Sequence, residues 1–351
     1  MEPVQLLDPD GRLTQDENWP LELTPELCRD LYRRMRLARR FDEQAYVLQR
    51  QGELGLWLQS LGQEAAQVGS ISAVRPDDHV FPSYREHAAA LCRGITPAEL
   101  LVQWRGSRNS GWDPATYRFH IYTLVLAAQL PHATGYAMGV QRDGTDEIVL
   151  AYFGDGAASE GEANETFNWA ATTEVPLLLF CQNNQWAIST PAHTQTRTSL
   201  HQRAQGFGLE AHLVDGNDIL AVHAVTAAVA ERVRSGGGPA MIEAQTYRMA
   251  GHSTSDDPDR YRDASELDSW KTRDPIHRLE RLLEERGWMN DGFRADLEAE
   301  CEVFANRTSQ ECKQLPLQDV STLFNTVLAE PTPLLTEEHR RYAELVASFA
   351  E

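Results

Sequence analysis

Four short, largely apolar runs, the first two unbroken and each bounded by a polar or glycine-rich cluster, constrain the fold of this chain more than any other feature. Ile148-Val149-Leu150-Ala151-Tyr152-Phe153 ends in Gly154-Asp155-Gly156, and Leu177-Leu178-Leu179-Phe180-Cys181, introduced by Pro176, ends in Gln182-Asn183-Asn184. The short run from Ala211 to Val214 closes on Asp215-Gly216-Asn217-Asp218, and Gly236-Gly237-Gly238-Pro239 turns into a fourth run from Ala240 to Thr246. Segments of helical length lie between them, over 159–173 and again up to about Val233. A strand that is apolar at every position is buried on both faces, and such strands alternating with helices build a parallel sheet. The fold class is therefore α/β, a parallel sheet flanked by helices.

On the N-terminal side, Thr24-Pro25-Glu26 supplies a capping hydroxyl and then proline at the first helical position, predicting a helix to about Gln51. Leu27, Leu31, Met35, Ala38, Ala45 and Leu48 fall roughly on one side of it. Its six arginines (Arg29, Arg33, Arg34, Arg36, Arg39, Arg40) look like a phosphate-binding patch, but the interleaved Asp30, Asp42 and Glu43 favour a solvated face. Residues 1–22 are polar, with turns at Asp10-Gly11 and Trp19-Pro20, and are expected to form an arm over the surface. Beyond Glu266 the pattern is that of charged amphipathic helices. The expected division is an N-terminal arm (1–22), an α/β domain (23–265) and a C-terminal helical region (266–351).

Fifty-two acidic residues against 32 basic ones give a formal charge of −20. That argues against nucleic acid or an anionic membrane as the main partner, because both require a net basic surface. Five widely spaced cysteines (Cys28, Cys92, Cys181, Cys301, Cys312), with no C-x-x-C pair, suit a reducing compartment rather than a disulfide framework or a zinc site. The N-terminal residues carry Glu2, Asp8, Asp10 and Asp16, unlike a signal or transit peptide. The charge-free stretch 119–141 is interrupted by Gln129, Pro131, His132 and Gly135, and is expected to be buried protein rather than a membrane span. A cytoplasmic protein is the expectation.

In an open parallel sheet, ligands bind beyond the carboxyl ends of the strands. Gly154-Asp155-Gly156 and Asn183-Asn184 both sit at such ends, and the 26 residues between Gly156 and Asn183 suffice for one crossover helix. Adjacent strands would bring Asp155 and Asn184 to one rim. Glycines beside Asp155 let backbone approach a ligand, and a helix N-terminus behind them suits a phosphate. One carboxylate, one amide oxygen and a nearby carbonyl make the incomplete oxygen shell that Mg²⁺ takes when a diphosphate supplies further oxygens. Either cluster alone is a common turn; the joint placement carries the signal.

GDG, 26 residues, then NN is the thiamine-diphosphate motif. Its surroundings, Gly154-Asp155-Gly156-Ala157-Ala158-Ser159-Glu160-Gly161 and Gln182-Asn183-Asn184-Gln185-Trp186-Ala187-Ile188-Ser189-Thr190, resemble the α subunit of the E1 component of 2-oxo acid dehydrogenase complexes. Further matching segments run from about Glu22 to about Trp288: Leu48-Gln49-Arg50-Gln51-Gly52, Gly62-Gln63-Glu64-Ala65-Ala66, Ser83-Tyr84-Arg85-Glu86 and Tyr247-Arg248-Met249-Ala250-Gly251-His252-Ser253.

The resemblance implies a thiamine-diphosphate-binding fold, with Asp155, Asn184 and the Trp186 carbonyl as Mg²⁺ ligands. It implies that Gly156 and Ala157 offer backbone contacts to the diphosphate, that Arg85 and Arg248 neutralise it, and that Tyr84 accompanies the first arginine. Leu124 and Leu126 stand at contact positions over the cofactor rings, and His252 is the active-site histidine, steering protons or stabilising charge. Without the resemblance, His252 reads equally well as a loop residue among turn-formers.

The implied activity is oxidative decarboxylation of a 2-oxo acid, either branched-chain or pyruvate, with the acyl group passed to a lipoyl domain of the E2 acyltransferase. The implied assembly is an α2β2 heterotetramer in which a β subunit completes the site. Three departures stand out. Leu124 replaces a small residue; Gln182 stands where some branched-chain-type relatives carry an arginine near the diphosphate; and Thr123, Val125, Ala128 and Gln129 match a potassium site only in part. Ser253 occupies a position phosphorylated in mitochondrial relatives and reads here as a loop hydroxyl. An acetoin-type dehydrogenase α subunit and a non-catalytic regulatory homologue are the alternative readings; the intact Asp155, Asn184, Arg85, Arg248 and His252 weigh against the latter. The segment 251–262, rich in hydroxyl and charged side chains with almost nothing apolar to anchor it, is expected to be mobile without the cofactor and ordered with it.

Overall fold

The computed structural model describes residues 2–14, 16–316, 318–326 and 328–349. Its strands are β1 (His79–Phe81), β2 (Val149–Gly154), β3 (Leu177–Asn183), β4 (Trp186–Ala187), β5 (Thr190–Pro191), β6 (Glu210–Asp215) and β7 (Ala240–Gln245). Five of them form one parallel sheet in the order β1-β2-β3-β7-β6, and β4 pairs antiparallel with β5 in a small ribbon after β3. The four apolar runs are thus all strands. β1 and the ribbon go beyond the sequence reading, because three- and two-residue strands carry too little pattern to detect.

Residues alternate between the two faces of the central strands and enter two different cores. Val149, Ala151 and Phe153 of β2 and Leu177, Leu179 and Cys181 of β3 pack with Leu130, Ala133, Ala137 and Phe167 from the Gln129–Asp143 and Gly161–Thr173 helices. Leu150, Tyr152, Leu178, Phe180 and Ile242 face the other way, towards Val222, Val225 and Val229 of the Ile219–Arg234 helix and Val68 of the Glu64–Ser72 helix. Each buried Leu, Val or Phe contributes about 1.5–3 kcal/mol, so the double-sided burial fixes the sheet's position firmly. In register, Phe153 lies beside Cys181 and Gly154 beside Gln182, while Asn183 lies beside Gln245. The polar clusters therefore emerge along one rim.

The Pro25–Arg50 helix starts as expected, with Thr24 Oγ1 accepting from the Leu27 N–H at 3.1 Å. Its arginines are not a solvated face. Arg36 and Arg40 pair with Glu298 (2.7 Å) and Glu302 (3.1 Å) of the Asp291–Gln314 helix, and Arg33 pairs with Glu300 there. Arg39 is buried between Glu64 (2.8 Å) and Asp274 (2.6 Å). Acidic partners distant in sequence decide the matter, and no local pattern reveals them.

The N-terminal arm is also more than a surface wrap. Val4 bridges β6 at Val214, and the buried Asp218 side chain accepts from the N–H groups of Leu6 and Leu7, each at 2.6 Å. In the C-terminal region, Ile276, Leu279, Leu283, Leu297 and Cys301 share one core with the sheet. A boundary at 265/266 therefore marks a change of element type rather than a gap between two cores. The Val320–Asn325 and Pro333–Ser348 helices pack on each other through Phe324, His339 and Tyr342.

The charge-free stretch 119–141 departs from its expectation. Phe119 and Leu130 are buried, but Ile121, Leu124, Val125, Leu126 and Tyr136 are exposed, Val125 at 71%. No helix among the described residues is long and apolar enough to cross a membrane.

Candidate active site

A cavity of about 640 Å³ opens at the carboxyl rim of β2 and β3. Tyr84, Arg85, Leu124, Leu126, Asp155, Gly156, Ala157, Gln182, Asn184, Trp186 and His252 all line it. Of the residues singled out from the sequence, Arg248 alone stands behind the wall. It is fully buried, donating to the carbonyls of Trp186 (3.2 Å) and Ile188 (2.6 Å) and to the Tyr261 hydroxyl (2.8 Å).

β2 delivers Asp155 and β3 delivers Asn184. The Asn184 N–H donates to Asp155 Oδ1 at 3.2 Å, which places the two residues side by side. Asn184 Oδ1 accepts from the Trp186 N–H, and its Nδ2 donates to Gln63 Oε1, both at 3.2 Å. Burial pushes the Asp155 carboxyl up to about 6, partly offset by backbone N–H donors and by Arg248. At Gly156, a Cβ would come within 2.7 Å of the Ala187 Cβ. The ribbon thus approaches the GDG turn too closely for any side chain. The turn begins the Ala157–Ser159 one-turn helix, in which the Ala158 and Ser159 N–H groups donate to the carbonyls of Asp155 (3.2 Å) and Gly156 (3.1 Å).

Arg85 is held by carbonyls: Nη1 donates to Gln59 O at 2.5 Å and Nη2 to His252 O at 2.9 Å. Among the described residues, neither Arg85 nor Arg248 has a carboxylate within ion-pairing distance, so both retain their full charge for an anion. Arg85 Nη2 also reaches His252 Nδ1 at 3.4 Å, which makes Nδ1 the acceptor and leaves Nε2 as the ring's N–H. Burial, then Arg85 and Arg248, lower the His252 pKa to about 4, so its imidazole is neutral near pH 7. Tyr84 meets that ring edge-on, with centroids 6.4 Å apart, and lies under the Arg85 guanidinium.

The loop carrying His252 is anchored by hydrogen bonds rather than apolar contacts. Thr254 N–H donates to Trp57 O at 2.9 Å, and the His252 N–H donates to Asp256 Oδ2 at 2.6 Å. Arg262 donates to the carbonyls of Arg248 (2.6 Å) and Met249 (3.1 Å).

Several lining residues escaped the sequence reading. Gln63 orients Asn184; Gln195 Nε2 lies 3.5 Å from Asp155 Oδ2; and Glu86 is buried, accepting from Gln182 Nε2 at 2.6 Å. Glu86 follows directly on Tyr84-Arg85, so its place in that motif was the available signal. Ile188 lines the mouth with φ +54°, a left-handed conformation that a β-branched side chain rarely adopts. Such strain is concentrated at functional sites.

The family model described as Dehydrogenase E1 component matches residues 32–321. The chain belongs to that family. Among dehydrogenase E1 proteins it is 41% identical to the "3-methyl-2-oxobutanoate dehydrogenase subunit alpha" of Mycobacterium tuberculosis, over 98% of this chain and 95% of that one. It is 33% identical to the "2-oxoisovalerate dehydrogenase subunit alpha 1, mitochondrial" of Arabidopsis thaliana (97% and 75% covered). It is 34% identical to the "Pyruvate dehydrogenase E1 component subunit alpha" of Acholeplasma laidlawii (96% and 99% covered). Dehydrogenase E1 components depend on thiamine diphosphate in general.

The residues present fit that cofactor. The cavity has the size of a small-molecule site, Gly156 leaves room only for backbone, and the buried Asp155 carboxyl lacks a cationic partner of its own.

Proposed function

We propose that this chain is the α subunit of an E1 component that oxidatively decarboxylates a branched-chain 2-oxo acid and passes the acyl group to a lipoyl domain. The observation that carries the reading is the joining of Asp155 and Asn184 at one rim, in a cavity that also holds Arg85 and His252. The names of the mycobacterial and plant relatives support a branched-chain substrate, as do Leu56, Leu58, Leu124, Leu126 and Ile188 on the cavity's apolar side.

Bound thiamine diphosphate supplies the carbanion chemistry of decarboxylation. Asp155, Asn184 and the Trp186 carbonyl would hold its Mg²⁺; that carbonyl already accepts from Arg248 and keeps a second lone pair for the ion. Gly156 and Ala157 would offer backbone N–H groups to the diphosphate, Arg85 would attract it directly, and Arg248 would add charge from behind the wall. Leu124 and Leu126, which line the cavity, would pack against the cofactor. His252, neutral and protonated at Nε2, donates a hydrogen bond to developing negative charge.

A β subunit completes the site in an α2β2 assembly, and the exposed Leu124, Val125 and Leu126 are surface for it to cover. The E2 lipoyl domain is the second partner. The test is steady-state turnover of the chain co-expressed with its β partner. 2-Oxoisovalerate should be preferred over pyruvate by kcat/KM. Preference for pyruvate would move the reading to the pyruvate-type enzyme, and turnover that needs no 2-oxo acid would defeat it.

A further inference from the structure

Glu86 is the one acidic side chain in the cavity wall besides Asp155 and Glu160, and it is 2% exposed. Its Oε1 accepts from Gln182 Nε2 at 2.6 Å and its Oε2 from the Arg85 N–H at 3.2 Å. Both carboxylate oxygens thus face donors, as an ionised carboxylate requires. The cost falls on Gln182. With Nε2 turned to Glu86, its Oε1 is buried without a hydrogen-bond partner. An amide oriented this way offers an anion in the cavity only a lone pair.

A primary amide exchanges donor and acceptor by a half-turn about its last bond, with almost no change of shape. The exchange pays only if Glu86 becomes a donor, which requires a proton on one of its oxygens. A phosphate beside a carboxylate favours that protonation, since like charges in a buried site disfavour each other's ionised forms.

We propose that Glu86 takes up a proton from solvent when an anionic phosphate group enters the cavity, and that Gln182 then turns its amide so that Oε1 accepts from Glu86 and Nε2 donates to the phosphate. No bond other than hydrogen bonds breaks, and the only species gained is the proton. Glu86 is a positioning residue, acting on the ligand through Gln182. The inference rests on the thiamine-diphosphate reading of the cavity.

The surroundings favour a Glu86 proton that responds to a ligand. Burial raises its pKa to about 7, with the Arg85 N–H and the Arg85 guanidinium holding it down. The Tyr122 hydroxyl, bonded to His87 Nδ1 at 2.9 Å, and the Tyr152 hydroxyl of β2, bonded to Ser70 Oγ at 2.7 Å, also feel the Glu86 charge. Both phenols stay neutral because burial raises them, and His87 stays neutral because burial lowers it to about 3. Arg85 is the cation that holds Glu86 ionised, and an arriving phosphate diverts its attraction from Glu86.

The experiment is calorimetric titration of the α–β complex with thiamine diphosphate and Mg²⁺ at pH 8, in two buffers of different ionisation enthalpy. With a free pKa of about 7, roughly nine-tenths of Glu86 side chains are ionised there. The wild type should take up about one proton per site bound. Glu86→Gln, and Glu86→Leu as a second non-ionisable variant, should bind with uptake near zero. Binding by the wild type without proton uptake, or equal uptake in wild type and variants, overturns the inference while leaving the cofactor reading intact. No binding of thiamine diphosphate by the wild-type complex overturns both.

Discussion

Replacing His252 separates chemistry from folding. In His252→Ala the imidazole N–H is lost, while Arg85 keeps its bonds to the carbonyls of Gln59 and residue 252. With a pKa near 4, the wild-type ring carries a second proton in only about one molecule in a thousand at pH 7. In the proposed role it would act as a neutral donor, and the expected loss on its removal is that of a positioned acid–base group, about 10²–10⁴-fold in rate. That corresponds to about 3–5 kcal/mol of barrier. Folding should feel a smaller effect, with a definite sign. A histidine whose pKa drops from 6.5 to about 4 on folding binds fewer protons in the folded state, so it costs stability as pH falls from 6.5 towards 4. The full shift is worth about 3 kcal/mol, and partial exposure of the ring reduces this to about 1–2 kcal/mol. The variant should accordingly lose less stability than the wild type between pH 7 and pH 4.5. The assay is turnover per thiamine-loaded site, with an artificial electron acceptor and then with a lipoyl domain, alongside urea unfolding at the two pH values. A drop mainly with the lipoyl acceptor places His252 in acyl transfer; a drop with both places it at or before decarboxylation. Near-normal turnover with both acceptors would refute the catalytic role, and parallel pH dependence of unfolding would refute the neutral-ring argument.

Asp155→Ala should abolish Mg²⁺-dependent retention of thiamine diphosphate by the α–β complex, whereas Asn184→Ala weakens it less, because a neutral ligand attracts the ion less; calorimetry with and without Mg²⁺ checks both. Gly156→Ala places a methyl 2.7 Å from the Ala187 Cβ. It should cost about 1–3 kcal/mol of stability as the ribbon shifts, and cofactor affinity should fall with it; thermal unfolding and calorimetry read the two effects. Arg39→Ala strips the buried partner from both Glu64 and Asp274. A loss of about 3–5 kcal/mol in urea unfolding is expected, against less than about 1 kcal/mol for Arg34→Ala, whose pair with Asp30 is half-exposed.

The strands and the rim were legible because both rest on local pattern. A short apolar run rich in β-branched and aromatic residues and bounded by glycine or proline favours a buried strand, and its polar stop marks an end. The 26-residue interval then leaves little choice but neighbouring strands for Asp155 and Asn184. What the sequence concealed depends on partners far along the chain. The helix arginines look solvated until Glu298, Glu300 and Glu302 arrive from more than 250 residues away. Val4 enters the sheet edge because Asp218 caps Leu6 and Leu7, and nothing near residue 4 announces it. The hydrogen bonds that hold the 251–262 loop, to the carbonyls of Trp57, Arg248 and Met249 and to Asp256, leave no mark in its sequence. Arg248 shows both sides of the matter: its motif brought it to the site, but only three-dimensional packing shows that it holds the Trp186 and Ile188 carbonyls from behind the wall.

The two arginines fastened to carbonyl oxygens have a consequence for how ligands arrive. A 2-oxo acid or a diphosphate approaches a molecule of formal charge −20, whose distant field pushes anions away. Within the cavity, Arg85, and Arg248 from behind the wall, offer short-range attraction. Dissolved salt shortens the reach of the outer field to about 8 Å at physiological ionic strength, yet penetrates little between buried groups. Raising ionic strength from very low values therefore removes more repulsion on the approach than attraction at the destination. Capture of anions by this site should quicken with added salt, the reverse of enzymes whose surface field draws their substrates in.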